Sequence, residues 1–409
     1  MARTAMRLYV PAPRFRPGDT PDFGNLQLPA AGAAERPDPM VDAADTRDLA
    51  FNLIRVLDED GRAVGPWKPD IKPDKLREGL KTMMLTRAYD DRMLKMQRQG
   101  KMSFYMKSLG EEAVAVAAGM ALKPDDMLFP SYRQQGLLFV RGRDMVDMMC
   151  HCISNSRDNL KGRQLPVHYT WAEGNFFSIS GNLCTQFPQA VGYAMASAYK
   201  GEDRVTASWI GEGSSAEGDF HVAGTLASIY RPPVILNVVN NQWAISMFHG
   251  LSGGERSTFA ARAIGYGIPG LRVDGNDFLA VWAATKWAAE RARRGGGATM
   301  LEIYTYRGES HSTSDDPSRY RPKEEWQAWP LGDPVERLKD HLIQLGEWSE
   351  DQHKEHWDAC VKRVTEAWRE AVSYGTIGEG PYAPTGTMFE DVYKEMPPHL
   401  RRQRQMLGV

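Results

Sequence analysis

A carboxylate held between two glycines, Gly211-Glu212-Gly213, follows directly on the apolar run RVTASWI and precedes two small polar residues, Ser214 and Ser215. Glycines let a backbone turn sharply and approach a ligand, and the start of a helix offers amides to an anion, so this corner suits a phosphate. Glu212 would repel a bare phosphate. The acid makes sense if a cation stands between carboxylate and phosphate, and magnesium, oxygen-seeking and commonly shared with phosphates, fills that role. A second group, Asn240-Asn241-Gln242-Trp243, closes the Val- and Ile-rich run PVILNVVN. If the two runs are neighbouring parallel strands, their ends lie side by side, and the Asn241 amide oxygen and a nearby backbone carbonyl reach the same ion as Glu212. The plainer alternative is a tight turn followed by turn-forming asparagines; two such motifs ending consecutive strands favour the ligand site. The glycine spacing misses the dinucleotide fingerprint, and the chain has no Gly-Lys-Ser or Gly-Lys-Thr loop for a nucleoside triphosphate.

Positioning these residues requires strands that alternate with helices. Period and composition predict strands over 204–210, 233–240, 271–273 and 299–306, with helices over 214–230 and 277–294. Upstream, Leu76, Leu80, Met83, Met84 and Ala88 recur at helical spacing behind Pro73 and Asp74, and an Ala-rich helix over 111–122 stops at Pro124. Alternation at these lengths predicts an α/β fold with a doubly wound parallel sheet, whose ligand lies at the carboxyl ends of the strands. Residues 1–48, rich in Pro, Ala and Asp without a sustained period, read as an extended N-terminal arm against a surface or a partner. Residues 49–334 read as the α/β domain, and 335–409 as its helical C-terminal extension.

Composition narrows the classes of function. With 409 residues and 42% hydrophobic content, the chain can bury a large core. A formal net charge of -2 provides no field favouring nucleic acid or an anionic membrane, and no stretch is apolar enough to span a bilayer. A small-molecule enzyme is expected. The apolar run near the start is broken by Arg7, Pro11 and Pro13, unlike a secretory signal. Cys150, Cys152, Cys184 and Cys360 lack zinc-site spacing and read as reduced thiols of a cytoplasmic protein, with Cys150-His151-Cys152 buried on a helix rather than bound to a metal.

The stretch from Gly211 to Asn241 resembles the thiamine diphosphate signature, a glycine-acid-glycine turn followed by paired asparagines. From about Asp45 onward the chain is similar to the alpha subunit of the decarboxylating component of branched-chain 2-oxo acid dehydrogenases. The similarity is densest in KMSFYMKSLGEEA, FPSYRQQG, SISGNLCTQFPQAVG, GEGSSAEGDFH, NNQWAIS, RVDGND and SHSTSDDPSRYR. It implies a sheet of the thiamine-diphosphate-binding type, with Glu212, Asn241 and the Trp243 carbonyl on magnesium. Gly211, Gly213, Ser214, Tyr132 and Arg133 would meet the diphosphate, and Gly181 and Leu183 the rest of the cofactor, Leu183 at its thiazolium ring. A guanidinium at Arg133 suits bidentate phosphate contact; a surface salt bridge is the alternative. Phe104, Tyr132 and Leu183 would line the substrate pocket. Ser180, Asn182, Thr185 and Gln186 match a loop that holds potassium in some relatives, a plain hydrogen-bonded loop being the alternative.

His311 matches the family's active-site histidine, in contact with cofactor and substrate. It also begins the polar loop HSTSDDPSRY after the last strand, at the ligand end of the sheet, where a neutral or protonated imidazole would donate to a substrate carboxylate or carbonyl. His221, His341, His353, His356 and His399 read as ordinary helix or surface residues. Three positions depart from the family pattern. Val239 stands where many relatives carry an arginine, removing a diphosphate contact; Trp243 replaces a tyrosine; and Ser310-His311 replaces a pair of histidines.

Thiamine diphosphate would supply the electron sink for loss of carbon dioxide. Its activation needs a glutamate beside the aminopyrimidine, usually on a second α/β domain, and the helical tail leaves no room for one. The resemblance therefore implies a beta subunit in an α2β2 heterotetramer, with acyl transfer to a lipoyl acyltransferase in branched-chain amino acid catabolism. Met388, Phe389, Val392 and Tyr393 are candidates for subunit contact or for packing on their own domain. The nearest rival is a pyruvate or acetoin dehydrogenase subunit, because one methylene is worth only about 1–3 kcal/mol in an apolar pocket. From a different class, the rival is a non-catalytic cofactor-carrying subunit, against which His311 argues.

Overall fold

Every residue of the strand Val234–Asn240 is buried, as a strand covered on both faces requires. Ile235 and Val239 belong to the core shared with helices Pro73–Arg98, Glu112–Ala121 and Phe278–Arg293, whereas Val234, Leu236 and Val238 belong to the core shared with helices Gln186–Tyr199 and Gly218–Tyr230. Alternate side chains thus feed opposite layers. The computed structural model describes residues 8–409, so the first seven residues of the expected arm lie outside the described residues. In chain order the strands are β1 (Met127–Phe129), β2 (Thr206–Gly211), β3 (Val234–Asn240), β4 (Trp243–Ala244), β5 (Met247–Phe248), β6 (Gly270–Asp274) and β7 (Thr299–Tyr304). β4 and β5 pair as an antiparallel hairpin; the other five form one parallel sheet in the order β1-β2-β3-β7-β6.

The doubly wound parallel sheet read from the sequence is the one found. Three boundaries need correction. The arm expected to be extended over 1–48 turns helical at its end, with a 3-10 turn at Ala43–Thr46 and an α-helix at Arg47–Phe51. The stretch predicted as one helix over 214–230 divides: Glu212–Ala216 forms a 3-10 turn, Glu217 is extended, and the α-helix begins at Gly218. Ser215 Oγ bonds the Glu212 carbonyl at 2.6 Å, a local interaction that competes with helix continuation. The amides beside Glu212 are therefore those of a tight turn, not of an α-helix N-terminus. The last strand ends at Tyr304 rather than 306. Cys150 and Cys152 sit buried on the helix Met145–Ile153, and all four cysteines are free, with burial pushing the thiols at 150 and 152 up to about 11.

Residues 8–42 contain no helix or strand, and side-chain donors of the domain pin their carbonyls. Trp67 Nε1 donates to Glu35 O (3.0 Å), Trp287 Nε1 to Pro37 O (2.9 Å), and Arg291 Nη1 to Pro39 O (2.6 Å) and Val41 O (2.8 Å). Where the arm crosses residue 65, a Cβ on Gly65 would lie 2.2 Å from Gly32 Cα, so the two backbones meet with no space for a side chain. Helices Pro334–Gln344 and Glu350–Ser373 both pack on Pro73–Arg98. Phe389 is buried, whereas Met388, Val392 and Tyr393 remain exposed. Among the described residues no helix is long and apolar enough to cross a membrane.

Asp277 joins the N-terminal segment to the sheet. Its Oδ1 caps the helix Phe278–Arg293 through Leu279 N and Ala280 N, and its Oδ2 accepts from Val56 N (2.8 Å) and Leu57 N (2.6 Å). Asp277→Ala should cost roughly 3–5 kcal/mol, from one lost cap and two orphaned buried amides. Urea unfolding measures this, and a loss below about 1 kcal/mol would show that those amides find other partners.

Candidate active site

Three adjacent strands end together. Glu212 follows β2, Asn241 follows β3, and the chain beyond β7 stays beside β3, with Thr305 N donating to Asn240 O (2.9 Å) and Arg307 N to Asn241 O (3.1 Å). Glu212 is 1% exposed and its Oε1 has no hydrogen-bond partner. Burial pushes its carboxyl up to about 7, with Arg307 opposing the rise. A buried carboxylate oxygen without a donor is costly, and a cation would relieve it. Asn241 Nδ2 donates to Glu111 Oε1 at 2.7 Å, while Trp243 N reaches Asn241 Oδ1 at 3.3 Å. The Trp243 carbonyl accepts from Arg307 Nη1 (2.8 Å) and keeps a second lone pair. A Cβ at Gly213 would come within 2.5 Å of Ala244 Cβ, so glycine is what lets the 212–216 turn close against β4. One carboxylate, one amide oxygen and one carbonyl make a hard-oxygen set of the kind magnesium takes.

Arg133 is 3% exposed, so the surface-salt-bridge reading fails. Its Nη1 donates to Lys107 O (2.7 Å), and its Nη2 to His311 O (2.6 Å) and His311 Nδ1 (3.1 Å). Its Nε lies 3.7 Å from Glu111 Oε1. A guanidinium has no acceptor, so Nδ1 of His311 must accept and the ring proton sits on Nε2. Burial, then Arg133 and Arg307, push the imidazole down to about 2, in the direction of the neutral one of the two forms expected for His311. The Tyr132 ring stands edge-on to it at 5.8 Å. Paired bonds between Tyr105 and Thr313, 3.1 and 3.0 Å, fasten the histidine loop to the segment bearing half-buried Phe104.

Asp90 supports this arrangement from behind. Its buried carboxylate accepts from Tyr105 OH (2.7 Å), Ser108 N (2.6 Å), Ser108 Oγ (2.7 Å) and Gln135 Nε2 (2.8 Å). Burial raises its pKa and the four donors oppose the rise.

The 180–186 loop stands apart from this cluster in its bonding. Ser180 Oγ accepts from Asn182 N (3.1 Å), and Thr185 Oγ1 donates to Asn182 O (3.1 Å). Gln186 Oε1 is buried without a partner, Leu183 is 50% exposed, and a Cβ on Gly181 would face His168 Cε1 at 3.3 Å. Ser214 is buried in the 3-10 turn, and Gly211 ends β2 with open space around it. Val239 lies in the core and offers the crevice no polar group. Sequence reasoning missed Asp90, Glu111 and Arg307. Glu111 was hidden in a pair of acids before an Ala-rich helix, an ordinary helix start; its neighbour Glu112 turns away to Arg87 (2.7 Å). Arg307 was findable, because the strand ahead of it was expected beside the others.

An open parallel sheet that brings a buried acid, an amide, two guanidinium groups and a neutral histidine to its carboxyl end defines an α/β protein with a small-molecule crevice at that end. The chain belongs to the dehydrogenase E1 component family, which matches residues 80–378. Residues 4–44 match a second family, 2-oxoisovalerate dehydrogenase E1 alpha subunit N terminal. The chain is 57% identical over 404 residues to the 2-oxoisovalerate dehydrogenase subunit alpha of Pseudomonas aeruginosa, covering 99% of this chain and 98% of the relative. It is 38% identical over 363 residues to the mitochondrial 2-oxoisovalerate dehydrogenase subunit alpha of Homo sapiens, covering 87% and 79%. With the mitochondrial subunit alpha 1 of Arabidopsis thaliana it shares 36% over 352 residues, covering 85% and 73%.

A neutral His311 has a measurable signature. Diethyl pyrocarbonate acylates unprotonated imidazole, so the intrinsic acylation rate of His311, followed by peptide mass spectrometry, should stay flat from about pH 7.5 to about pH 5.5. A fall centred near the ordinary 6.5 would show that burial and the two arginines do not hold the ring neutral.

Proposed function

We propose that this chain is the alpha subunit of a 2-oxoisovalerate dehydrogenase, oxidatively decarboxylating branched-chain 2-oxo acids in branched-chain amino acid catabolism. The observation that carries the reading is the buried, unpartnered Glu212 Oε1 beside Asn241 at adjacent strand ends, in a chain 57% identical to such a subunit along nearly its whole length. Glu212, Asn241 and the Trp243 carbonyl hold magnesium, and Gly211, Gly213, Ser214, Tyr132 and Arg133 face the diphosphate of thiamine diphosphate. The cofactor, when bound, supplies the electron sink for loss of carbon dioxide. The chain's own groups do the rest. His311 donates a hydrogen bond from its Nε2–H to the substrate carboxylate or carbonyl, Arg133 keeps that ring in place, and Phe104, Tyr132 and Leu183 wall off water.

Half-exposed Leu183 fits a site completed by another chain, a beta subunit in an α2β2 heterotetramer that brings the pyrimidine half and its activating glutamate. The acyl group passes to a lipoyl acyltransferase. Unpartnered Gln186 Oε1, with Ser180, Asn182 and Thr185, supports a potassium ion in the adjoining loop. Residues 49–334 form the cofactor domain, 1–48 its arm and 335–409 its extension, in a cytoplasmic enzyme.

Glu212→Ala and Asn241→Ala should each weaken magnesium-dependent cofactor binding about tenfold or more in the assembled enzyme, as loss of a charged or amide ligand implies. Calorimetry with thiamine diphosphate and magnesium decides this, and unchanged affinity in both variants would sink the metal assignment. Co-expressed with a beta subunit, the chain should prefer 2-oxoisovalerate over pyruvate by about tenfold or more in kcat/KM, since the two differ by two carbons and an apolar pocket gives about 10–200-fold for a single methylene. The chain alone should be inactive. Preference for pyruvate would move the enzyme to the rival substrate class.

A further inference from the structure

We infer that Glu111 is a positioning residue for the metal corner: by accepting a hydrogen bond from Asn241 Nδ2, it fixes which end of the Asn241 carboxamide faces the magnesium. The inference rests on the metal reading above. Glu111 is 2% exposed and stands immediately before the helix Glu112–Ala121. The two acids there have divided tasks. Glu112 is engaged by Arg87 (2.7 Å) and by Gly110 N (2.9 Å), whereas Glu111 reaches across to Asn241 at 2.7 Å.

A carboxamide has two ends of nearly equal shape and opposite chemistry, and a hard cation takes oxygen, not an amide nitrogen. The Glu111 carboxylate, which accepts and does not donate, can face only the NH2 end. The reversed amide would press two oxygens together in a buried space. Oδ1 is thereby left on the opposite side, where Trp243 N approaches it at 3.3 Å and where the Trp243 carbonyl, another member of the donor set, follows in the same residue. Arg133 Nε, 3.7 Å from the same Glu111 oxygen, keeps the carboxylate from standing alone and ties its direction to the guanidinium that orients His311. One acid thus aligns the Asn241 carboxamide and Arg133 without facing substrate itself.

The test uses the assembled enzyme with thiamine diphosphate present and magnesium as the titrant, read by calorimetry. Glu111→Gln retains an accepting oxygen at the same reach and should leave the apparent magnesium affinity within about threefold of the parent. Glu111→Leu and the smaller Glu111→Ala should lower it about tenfold or more, a charged hydrogen bond's worth, with activity recovered by excess magnesium. A merely structural role would not distinguish glutamine from leucine in this way at matched melting temperature. In an Asn241→Ala background the magnesium loss from Glu111→Leu should shrink to about threefold or less, because most of its effect travels through Asn241 and only the remainder through Arg133. Equal magnesium affinity in the Gln and Leu variants, or an undiminished Glu111→Leu loss without Asn241, overturns the inference. If neither Glu212→Ala nor Asn241→Ala changes the affinity, both this inference and the metal reading fall; if Asn241→Ala weakens it and Glu111→Leu does not, or if Asn241→Ala alone leaves it unchanged, only this one does.

Discussion

The Asp90 carboxylate, fully buried on the helix Pro73–Arg98, ties that helix to the segment after it and to the turn after β1. Taking a carboxylate out of water is costly unless its lone pairs are met by donors, and here a phenol, a backbone amide, a hydroxyl and a carboxamide meet them. Because Asp90 engages Tyr105, Ser108 and Gln135 together, it holds the segment after the long helix and the turn after β1 in place relative to each other. Arg133 lies on that turn. Its two outer nitrogens then find Lys107 and His311, so the histidine's position follows, through bonded groups, from a carboxylate that lies outside the crevice.

Charge balance sets the chemistry. Glu111 and Glu212 are both buried and within reach of each other's field, and Arg133 and Arg307 are the cations that face them. Burial, and after it the same two guanidinium groups, hold the His311 imidazole pKa down. A cation at Glu212 would join an existing alternation of sign, not create one. Preorganisation of this kind lets a site act on developing charge without rearranging, as electrostatic catalysis requires.

What the sequence disclosed was local. Runs of Val and Ile ending in Gly-Glu-Gly and Asn-Asn mark strand ends without any knowledge of the fold, and a polar loop after the final strand marks His311. The supporting groups were not legible, because their partners are remote: Gln135 is 45 residues from Asp90, and Asn241 is 130 from Glu111. The misplaced helix start at Ser214 has the opposite cause. There a short-range bond from Ser215 to the Glu212 carbonyl overrode a pattern that, at longer range, reads as continuous helix.

The pinned arm imposes an order on synthesis. Trp287 and Pro37 are 250 residues apart, so the arm leaves the ribosome long before the donors that receive it exist. At about 5–20 residues per second, that interval lasts roughly 12–50 seconds. Through this time only its near anchors are available, Arg55 for the Pro29 carbonyl and Trp67 for that of Glu35. Prolines and small residues suit such a wait, since they pair poorly with passing strand edges. The arm closes over helix Phe278–Arg293 only after that helix has been made, which makes its docking a late event in maturation of the nascent chain.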